Sequence, residues 1–562
     1  MIIPTSEQEK IYNFIKFDTQ HGIIDAVAGS GKTSTIIESI SYVDKSKELL
    51  FCAFNKSIRD EISQRISKKQ NSNIVVKNLH QLGFDILKSN SETKFIVEEI
   101  KYKRLIEKAM EGKISSKIES YIELYEINKN PKNEIEERIL KENINKFKYK
   151  LNDSINKFRL TLAKDNFEDF KNMIIHYGII DEIKTNPKIL NSVINIFFEC
   201  TKIIIEKGNE IAKNLKIIDL TDMLYLPQKL MLYPIKSYDI LFVDECQDLS
   251  KAQLAIALKY VKKNGRVIAV GDPQQSIYGF TGADIESFSR FGTLLKNHIK
   301  LTLSYCFRCP DNVIEYAQNF RDDIKPFKEK QGTIEKIDFE KVTELVKEKD
   351  LIISRTKAPL SSLLFDLLES GRKVNIDQEE ITELFNELRF LFTKEELNTV
   401  NIYKNGNDFF EKVMKRNIYF IQKKAEKISG TLIREEFIED EKIYLKRRID
   451  FLNRQSSIFI DVRNLNDLIK KIEKLVSDDP NAIKLSTIHK AKGLENDRVF
   501  ILDYDKLPMK KDNHKYWEKV QETNLKYVAL TRTKNTLYLV NSIKDEKSIE
   551  DGNLFDQLDD IW

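Results

Sequence analysis

The sequence predicts an α/β protein with two parallel sheets, each interrupted by a mainly helical insertion. In two separate parts of the chain, short apolar runs are followed by helix-like stretches, which is the pattern of a parallel sheet covered by helices. These two parts are residues 23–33 with 238–282 and residues 301–308 with 483–532. The segment about 85–215 is Lys-rich and poor in Gly, with Ile and Leu at helical spacing, and a second helical insertion is predicted at about 379–474. A length of 562 residues gives room for three to four domain-sized units.

Composition excludes several classes of protein. A hydrophobic content of 41% excludes global disorder. No apolar run reaches the roughly 18 residues of a membrane span, and the first residues lack the layout of a secretory signal, so we expect a cytoplasmic protein. The 92 basic and 88 acidic residues give a net charge of +4. This balance does not decide for or against a nucleic-acid partner, because phosphate contacts are local.

The five cysteines are widely spread and odd in number, which is typical of a reduced, cytosolic protein. Cys306 and Cys309 form a lone C-x-x-C motif. A zinc site needs two more ligands at suitable spacing, and the sequence has no second pair and no paired-histidine motif. We therefore favour buried packing residues over the alternative of a metal or redox site.

Residues 23–33 have the pattern of a phosphate-binding loop. An apolar run leads into a Gly-rich turn, and a helix-like stretch follows. Gly29 and Gly31 let backbone N–H groups point at phosphate, Lys32 reaches the β- and γ-phosphates, and the Thr33 hydroxyl ligates Mg²⁺. The predicted nucleotide-binding residues of this segment are Ala28, Gly29, Ser30, Gly31, Lys32, Thr33 and Ser34.

An acidic pair follows a second apolar run, residues 240–243, as at the end of a buried parallel strand. Ligands of open α/β sheets bind at such carboxyl ends. We expect Asp244 to hold Mg²⁺ through its water shell and Glu245 to orient or deprotonate the attacking water. About 210 residues separate this pair from the phosphate loop, too many for one βαβ unit, so an inserted domain is predicted.

The segment Asp244-Glu-Cys-Gln-Asp248 resembles the DExQD box of superfamily 1A helicases of the UvrD/Rep/PcrA type. Other segments resemble further motifs of this family in the same order along the chain. They are residues 4–8 (the Q motif), 50–56 (Ia), 78–80 (Ib), 270–280 (III), 303–308 (IV), 483–495 (V) and 527–534 (VI). The resemblance therefore spans the chain, although in islands.

The resemblance implies two RecA-like lobes with ATP in the cleft between them. It places lobe 1 at 1–84 and 216–284, a helical insertion at 85–215, lobe 2 at 285–378 and 475–562, and a short helical insertion at 379–474. The implied catalytic residues are Lys32, Asp244, Glu245, Gln275 as a γ-phosphate sensor, and Arg308 and Arg532 as arginine fingers. The implied nucleotide contacts further include Gln8 and Phe307 at the adenine and Glu495 at the ribose. Gln8 also fits a second interpretation, in which it belongs to an N-terminal helix cap.

The resemblance also implies contacts to single-stranded DNA. They are Phe54, Asn55, Lys56 and His80 in the first lobe, Tyr278 and Phe280 as a base-stacking pair, and Thr487 and His489 in the second lobe. The family often has Trp and Arg where this chain has Phe280 and Thr281, which predicts a weaker grip on DNA. Ser34 stands where close relatives often carry an Arg near the base, which predicts looser adenine selectivity.

The expected function is an ATP- and Mg²⁺-dependent DNA helicase or translocase that moves 3′-to-5′ on single-stranded DNA. Its expected substrates are single-stranded DNA and tailed duplex DNA, its expected state is a monomer, and its expected setting is DNA repair, recombination or phage-related DNA processing in a bacterial cell. The preference for DNA or RNA stays open, and so do two alternative functions. One is a translocase that strips proteins from single strands without unwinding, and the other is a nucleotide-switched subunit of a repair or defence complex.

Overall fold

The computed structural model describes residues 3–53, 56–67, 73–132, 134–180, 187–279, 282, 286–399, 402–425, 431–458, 462, 464–476, 479–510 and 515–543. The chain divides into two compact units. The first comprises Met1–Tyr305 with Lys515–Gln521, and the second comprises Cys306–His514 with Glu522–Trp562. Among the described helices, none combines the length and the apolarity needed to cross a membrane.

The elements of the first unit alternate between strands and helices, apart from a long helical stretch in the middle. In chain order they are α1 (Ser6–Phe17), β1 (His21–Ala26), α2 (Lys32–Ser39), β2 (Leu49–Ala53), α3 (Lys56–Ser67), β3 (Ile74–Asn78), α4 (Leu79–Ser89), β4 (Ile96–Val97), α5 (Lys101–Met110), α6 (Ser115–Leu124), α7 (Glu134–Thr161), α8 (Phe167–His176), α9 (Pro187–Asn214), β5 (Ile217–Ile218), α10 (Leu220–Lys229), β6 (Tyr238–Val243), α11 (Lys251–Lys259), β7 (Val261–Gly271), α12 (Ser287–Leu294) and β8 (His298–Leu303).

Six of these strands form one parallel sheet in the order β3-β2-β6-β7-β1-β8. All five residues of β2 and all but one of the six residues of β6 are buried, because two hydrophobic clusters cover the two faces. Since all strands run in one direction, the turns that follow β1 and β6 lie at the same edge of the sheet.

The first unit extends beyond the predicted boundary after residue 284. Strand β8 pairs in parallel with β1, from His21 opposite His298 to Ala26 opposite Leu303. This corrects the assignment of residues 285–305 to the second lobe. An edge strand with mixed exposure, as β8 has, carries no sequence signal for the sheet that it joins.

The first insertion, helices α5–α9, is built around a hydrophobic cluster that includes Phe147, Phe170 and Phe197 and continues into α10 through Met223 and Tyr225. The strands β4 and β5 pair in parallel where the chain enters and leaves these helices. A buried ionic network joins the insertion to the start of α10, where the Arg159 guanidinium donates to Asp219 at 2.8 Å and to Asp222 at 2.9 Å. The insertion is therefore a packed subdomain whose core and buried ionic network both extend into α10.

The second unit contains a second parallel sheet. In chain order its elements are β9 (Tyr305–Cys306, at the unit boundary), α13 (Asp311–Gln318), β10 (Lys325–Pro326), β11 (Thr333–Ile337), α14 (Val342–Leu345), β12 (Leu351–Ser354), α15 (Lys357–Glu369), β13 (Val374–Ile376), α16 (Gln378–Phe390), α17 (Lys394–Thr399), α18 (Ile402–Ala425), α19 (Thr431–Ile458), α20 (Leu465–Glu473), β14 (Ile483–Thr487), β15 (Asn496–Leu502), α21 (Tyr516–Leu530) and β16 (Thr533–Val540).

Its six-stranded sheet has the order β11-β16-β15-β12-β14-β13, with every pair parallel. The predicted fold class, an α/β protein with two parallel sheets, is confirmed. The second insertion, helices α16–α20, differs from the first. Its side chains, such as Phe385, Phe410 and Leu452, belong to the same hydrophobic cluster as Ile352 and Phe500 of the sheet.

Candidate nucleotide site and nucleic-acid contacts

The Gly-rich turn after β1 has the conformation that a phosphate cradle requires. Gly29 and Gly31 have φ values of 67° and 73°, in the left-handed region that glycine adopts without steric cost. Gly31 caps α2 and no side chain caps this helix, so its first N–H groups can face an anion. Ser30 is buried and its Oγ has no hydrogen-bond partner among the described residues. Phosphate oxygens supply the acceptors that this turn lacks, so the residues present fit ATP.

Thr33, in the first turn of α2, contacts the acidic residue that follows β6. The Thr33 hydroxyl donates a 2.6 Å hydrogen bond to Oδ2 of Asp244, and the backbone N–H of Glu245 donates to Oδ1 at 2.9 Å. Asp244 is buried, and burial together with the charge of Glu245 raises its pKa to about 6. A hydroxyl and a carboxylate held together are oxygen ligands of the kind that Mg²⁺ takes beside phosphates. The pair therefore fits the predicted metal role.

Glu245 lies between the phosphate loop and a chain of amide side chains. Its Oε1 is 3.6 Å from Nζ of Lys32, and its Oε2 accepts a 2.5 Å hydrogen bond from Nε2 of Gln247. Oε1 of Gln247 accepts the N–H of Asp272 at 3.0 Å, and Nε2 of Gln275 donates to Oδ2 of Asp272 at 2.6 Å. The predicted residues Lys32, Glu245 and Gln275 thus belong to one connected set. Gln247, which is fully buried, completes it and was assigned no role from the sequence, although its place in the acidic box was the available signal.

The remaining predicted residues of the first-unit nucleotide site have partners of their own. Nε2 of Gln8 donates to Oγ1 of Thr35 at 3.0 Å, while its Oε1 accepts the N–H of Thr5 at 2.9 Å. The capping interpretation of Gln8 is therefore correct, and the amide also reaches α2. Ser34 accepts a 2.9 Å hydrogen bond from Nη2 of Arg65, so a guanidinium lies beside this position although the sequence has a small side chain there.

In the second unit, Arg308 is held by the residue predicted to contact ribose. Its Nε donates to Oε2 of Glu495 at 2.6 Å, and its Nη1 donates to the carbonyl of Thr531 at 3.0 Å. Glu495 also pairs with Lys534 at 2.9 Å. Burial alone raises the pKa of a carboxyl group, but the two cations outweigh it and hold the pKa of Glu495 below its ordinary value. Phe307 next to Arg308 is 38% exposed, with its ring centroid 4.4 Å from that of Phe327.

Arg532 is almost completely buried within the second unit, at 1% exposure. Its guanidinium donates to the carbonyl of Val528 at 2.9 Å, to the carbonyl of Leu494 at 3.2 Å and to Oγ1 of Thr531 at 3.3 Å. The two predicted arginine fingers therefore share one neighbourhood around Thr531. Arg308 faces a carboxylate there, and Arg532 faces backbone carbonyls.

The second sheet also ends a strand on an acidic turn. Asp503 follows β15 with φ 51° and ψ 42°, close to the φ 50° and ψ 42° of Glu245 after β6. Its Oδ2 accepts a 2.9 Å hydrogen bond from the Tyr444 hydroxyl, and burial raises its pKa to about 6. Sequence analysis did not single out Asp503, because a lone Asp after an apolar run is a weak signal.

The predicted DNA contacts of the first unit lie in three separate segments of the chain. Phe54, Asn55 and Phe280 lie outside the described residues, and for Lys56 only its position at the start of α3 is described. His80 lies in the first turn of α4, where burial lowers its pKa and favours the neutral ring.

The segment that carries the predicted base-stacking pair packs closely at Gly279. Tyr278, before it, is half-buried. A Cβ atom at Gly279 would lie 2.8 Å from Oε1 of Gln521 and 3.0 Å from the ring of Trp517. Trp517 in turn donates from Nε1 to the carbonyl of His176 at 2.5 Å. The segment is thus held against α21, a contact that the sequence did not predict.

Thr487 and His489 lie at the carboxyl end of β14. The N–H and the hydroxyl of Thr487 both donate to Oε1 of Glu380, at 3.1 Å and 2.7 Å. Burial, with Arg355 nearby, lowers the pKa of His489 to about 3, so its ring is neutral at neutral pH. Neither residue therefore offers a positive charge to DNA, and Glu380 is a partner that sequence analysis missed.

All five cysteines are buried and unpaired by disulfides. The backbone N–H of Cys309 donates to Sγ of Cys306 at 3.4 Å, and the Cys309 thiol donates to the carbonyl of Thr531 at 3.7 Å. Among the described residues, no group of three or more His, Cys, Asp or Glu side chains is arranged to hold a metal ion.

Comparison with known proteins covers nearly the whole chain. The family model of the UvrD/REP helicase N-terminal domain matches residues 5–296, and that of the UvrD-like helicase C-terminal domain matches residues 284–544. Similar curated proteins include Gabija protein GajB of Bacillus cereus, 26% identical over 57% of this chain and 66% of that protein. A probable DNA helicase II homolog of Mycoplasma capricolum is 23% identical over 92% of this chain and 81% of that protein.

The ATP-dependent DNA helicase PcrA of Staphylococcus epidermidis is 24% identical over 56% of each chain. The chain thus spans a little under two thirds of GajB and little more than half of PcrA. Both family models match domains at the positions that the sequence motifs indicate, and together they cover both sheets. The predicted family is therefore confirmed, and the chain belongs to the UvrD/REP-like DNA helicases.

Proposed function

We propose that this chain is an ATP-dependent DNA helicase that moves 3′-to-5′ along single-stranded DNA and unwinds tailed duplexes. The proposal rests on two contacts at the edge of the first sheet. Thr33 donates a hydrogen bond to Asp244, and Lys32 forms an ion pair with Glu245. Membership of the helicase family supports the enzyme class, and relatives named DNA helicases support DNA as the substrate. The direction of movement and a role in repair, recombination or phage-related processing rest on the resemblance.

ATP would lie on the Gly-rich turn, with its phosphates at the N–H groups that precede and begin α2. Thr33 and Asp244 would hold Mg²⁺, which, when bound, neutralises charge that develops on the phosphate oxygens. Lys32 adds positive charge at the same place. Glu245 is the base that orients the attacking water and accepts its proton. Gln247 keeps the Glu245 carboxylate in place through its 2.5 Å hydrogen bond.

Arg308 and Arg532 are proposed to stabilise the transferring phosphoryl group. An arginine in this role contributes a factor of about 10³–10⁵ in rate. Arg308 is the more available of the two, because its side chain is 17% exposed and its partner Glu495 is 40% exposed. Binding of the phosphate would exchange one anionic partner of Arg308 for another, whereas Arg532 would first have to leave three acceptors inside its own unit.

The link from nucleotide to DNA is proposed to run through residues 272–278. Gln275 contacts Asp272, which is bonded to Gln247 of the acidic box, and Tyr278 follows three residues later. A base stacked on an aromatic side chain contributes about 1–3 kcal/mol. A change at the nucleotide would therefore reach a base-stacking residue along a short, hydrogen-bonded stretch of chain.

A translocase that strips proteins from single strands without unwinding is the second candidate. The observation that favours it is the shared hydrophobic cluster of the second insertion, because helices packed onto the sheet leave less room for a separate duplex-binding body. Opening a base-pair step costs about 1.4 kcal/mol, so unwinding requires contacts that translocation does not.

The central test is the Lys32→Ala variant, with the exposed Lys47→Ala as the matched control. We expect Lys32→Ala to abolish DNA-stimulated ATP hydrolysis and to leave the melting temperature unchanged, because the side chain serves the nucleotide. Normal turnover in this variant would overturn the assignment.

Duplexes with a 3′ or a 5′ single-stranded tail test direction and unwinding with the wild-type protein. We expect strand separation on the 3′-tailed duplex alone. Displacement of a protein roadblock from single strands, without separation of either duplex, would favour the stripping translocase. Tight ATP binding with negligible turnover in the presence of DNA would instead favour a nucleotide-switched subunit.

A further inference from the structure

Glu380 is a buried carboxylate that accepts both hydrogen-bond donors of Thr487. It lies in the first turn of α16, at 3% exposure. Its Oε1 receives the backbone N–H of Thr487 at 3.1 Å and the hydroxyl at 2.7 Å. Its Oε2 is buried and has no hydrogen-bond partner in the part of the chain that the structure describes. The Glu380 carboxylate thus binds Thr487, and it does so from the first turn of α16, where the second insertion begins.

Thr487 is the residue from which residues 488–495 leave the second sheet. Its carbonyl accepts the N–H of Ala491 at 2.9 Å, and its Oγ1 accepts the N–H of Lys490 at 3.4 Å. The next residue, Ile488, donates from its N–H to the carbonyl of Ser354 at 2.8 Å. The conformation at Thr487 therefore sets the direction of the whole segment 488–495, which we call the motif V loop.

The same end of α16 holds the motif V loop at a second, exposed point. Nζ of Lys490 lies 2.6 Å from Oδ1 of Asp377 and 3.0 Å from Oε2 of Glu379. Exposed pairs of this kind contribute little, because water screens the charges. The buried contact of Glu380 is the stronger of the two, since loss of its acceptor would leave two donors unsatisfied.

We propose that Glu380 is a positioning residue that fixes the motif V loop for DNA binding, an inference that rests on the proposed function. Thr487 then anchors the loop instead of contacting a phosphate, because both of its donors are already bonded to Glu380. The DNA contacts come from residues farther along the loop. The last residue of the loop, Glu495, pairs with Arg308. The contact between Glu380 and Thr487 therefore also helps to position Glu495, a proposed nucleotide contact.

Hydrogen exchange of a peptide that contains Thr487 tests the anchor without any activity measurement. The Glu380→Ala variant is expected to exchange the Thr487 amide at least about tenfold faster than wild type, since its acceptor is lost. Glu380→Gln keeps an acceptor oxygen and should restore protection. Glu387→Ala, on the same helix, is the matched control and should exchange as wild type does. Unchanged protection in Glu380→Ala would overturn the proposal.

Binding of a fluorescent oligothymidylate tests the functional consequence. We expect Glu380→Ala to raise the Kd about tenfold and Glu380→Gln to stay within about threefold of wild type. Tighter binding by Glu380→Ala would mean that the carboxylate competes with DNA phosphate for Thr487, which would overturn the positioning role.

If Glu380→Ala does not fold, a second variant tests the proposal. Thr487→Val replaces the hydroxyl by a methyl group of similar size and should weaken binding about threefold, with Thr487→Ser as its control. Wild-type affinity in Thr487→Val would contradict the proposal. If the wild-type protein binds no single-stranded DNA, the proposed function fails, while the exchange result still decides whether Glu380 holds the loop.

Discussion

Each of the two six-stranded sheets has a central strand that ends in an acidic turn, and among the described residues one of these two turns contacts a Gly-rich loop. Glu245 after β6 and Asp503 after β15 share the same left-handed backbone conformation. The first turn contacts Lys32 and Thr33 of α2. The second is closed by the hydroxyl of Tyr444, from helix α19 of the second insertion.

The difference shows that the backbone of such a turn does not decide its chemistry. In the first sheet, a Gly-rich turn follows β1 at the same edge and places a lysine and a threonine beside the carboxylates. In the second sheet, the Tyr444 hydroxyl donates a hydrogen bond to the Asp503 carboxylate, and burial raises the pKa of Asp503 to about 6. The Asp503 carboxyl group, bonded to a neutral hydroxyl with the charge of Lys506 nearby, is a structural feature. A carboxylate beside a lysine and an anion cradle can instead perform catalysis.

The largest expected effect is that of Glu245→Gln. It should lower kcat of DNA-stimulated ATP hydrolysis by about 10²–10⁴, because the proton acceptor is removed while the shape stays the same. Turnover measured at saturating DNA is the readout, and nucleotide binding should persist. Asp503→Asn is the control in the second sheet and should retain kcat within about twofold. Comparable losses of kcat in both variants would contradict the conclusion that only the turn at Glu245 serves catalysis.

The second effect is on stability. The pKa of Asp503 is raised in the folded protein, so its stabilising contribution is complete below its ordinary pKa near 3.8 and is lost as pH rises through about 6. Asp503→Asn removes the buried charge and should therefore stabilise the protein at pH 8 by up to about 3 kcal/mol, with a smaller gain at pH 5. Thermal melting at both pH values checks this, and a gain that does not depend on pH would contradict it.

The smallest expected effect is that of Tyr444→Phe, which removes the donor to Asp503. It should destabilise the protein by about 1–2 kcal/mol at pH 8, where the carboxylate is charged, and by less at pH 5. In the Asp503→Asn background the same change should cost less, because the charge is absent. Additive costs in the double variant would show that the two side chains do not interact.

The sequence alone was sufficient to predict those parts of the molecule whose residues lie close together along the chain. The phosphate loop is a run of consecutive residues, and the acidic pair directly follows an apolar strand, so both have a fixed pattern of spacing. Parallel strands that are buried on both faces also read as continuous apolar runs. The fold class and the grouping of the loop and the acidic pair at one edge of the first sheet could therefore be predicted from residues 23–33 and 238–248.

The parts that could not be predicted depend on contacts between distant residues. Glu380 and Thr487 are 107 positions apart, and neither residue type signals the other. Strand β8 was assigned to the wrong unit because strand pairing is a tertiary property. Arg308 and Arg532 were predicted as arginine fingers by resemblance. The carboxylate that binds Arg308 and the carbonyls that bind Arg532 follow from the packing of the second unit.

The shared core of the second insertion affects how this protein can change over evolution. The core of the first insertion includes side chains of α10, but its described members include no strand of the six-stranded sheet. The chain enters and leaves the insertion through the β4–β5 pair, so its helices can be exchanged with changes to α10 and little damage to the sheet. The second cannot, because its helices complete the core of the second sheet. Shortening or loss of this segment would open the hydrophobic core of the second sheet, so the packing of that sheet constrains its divergence.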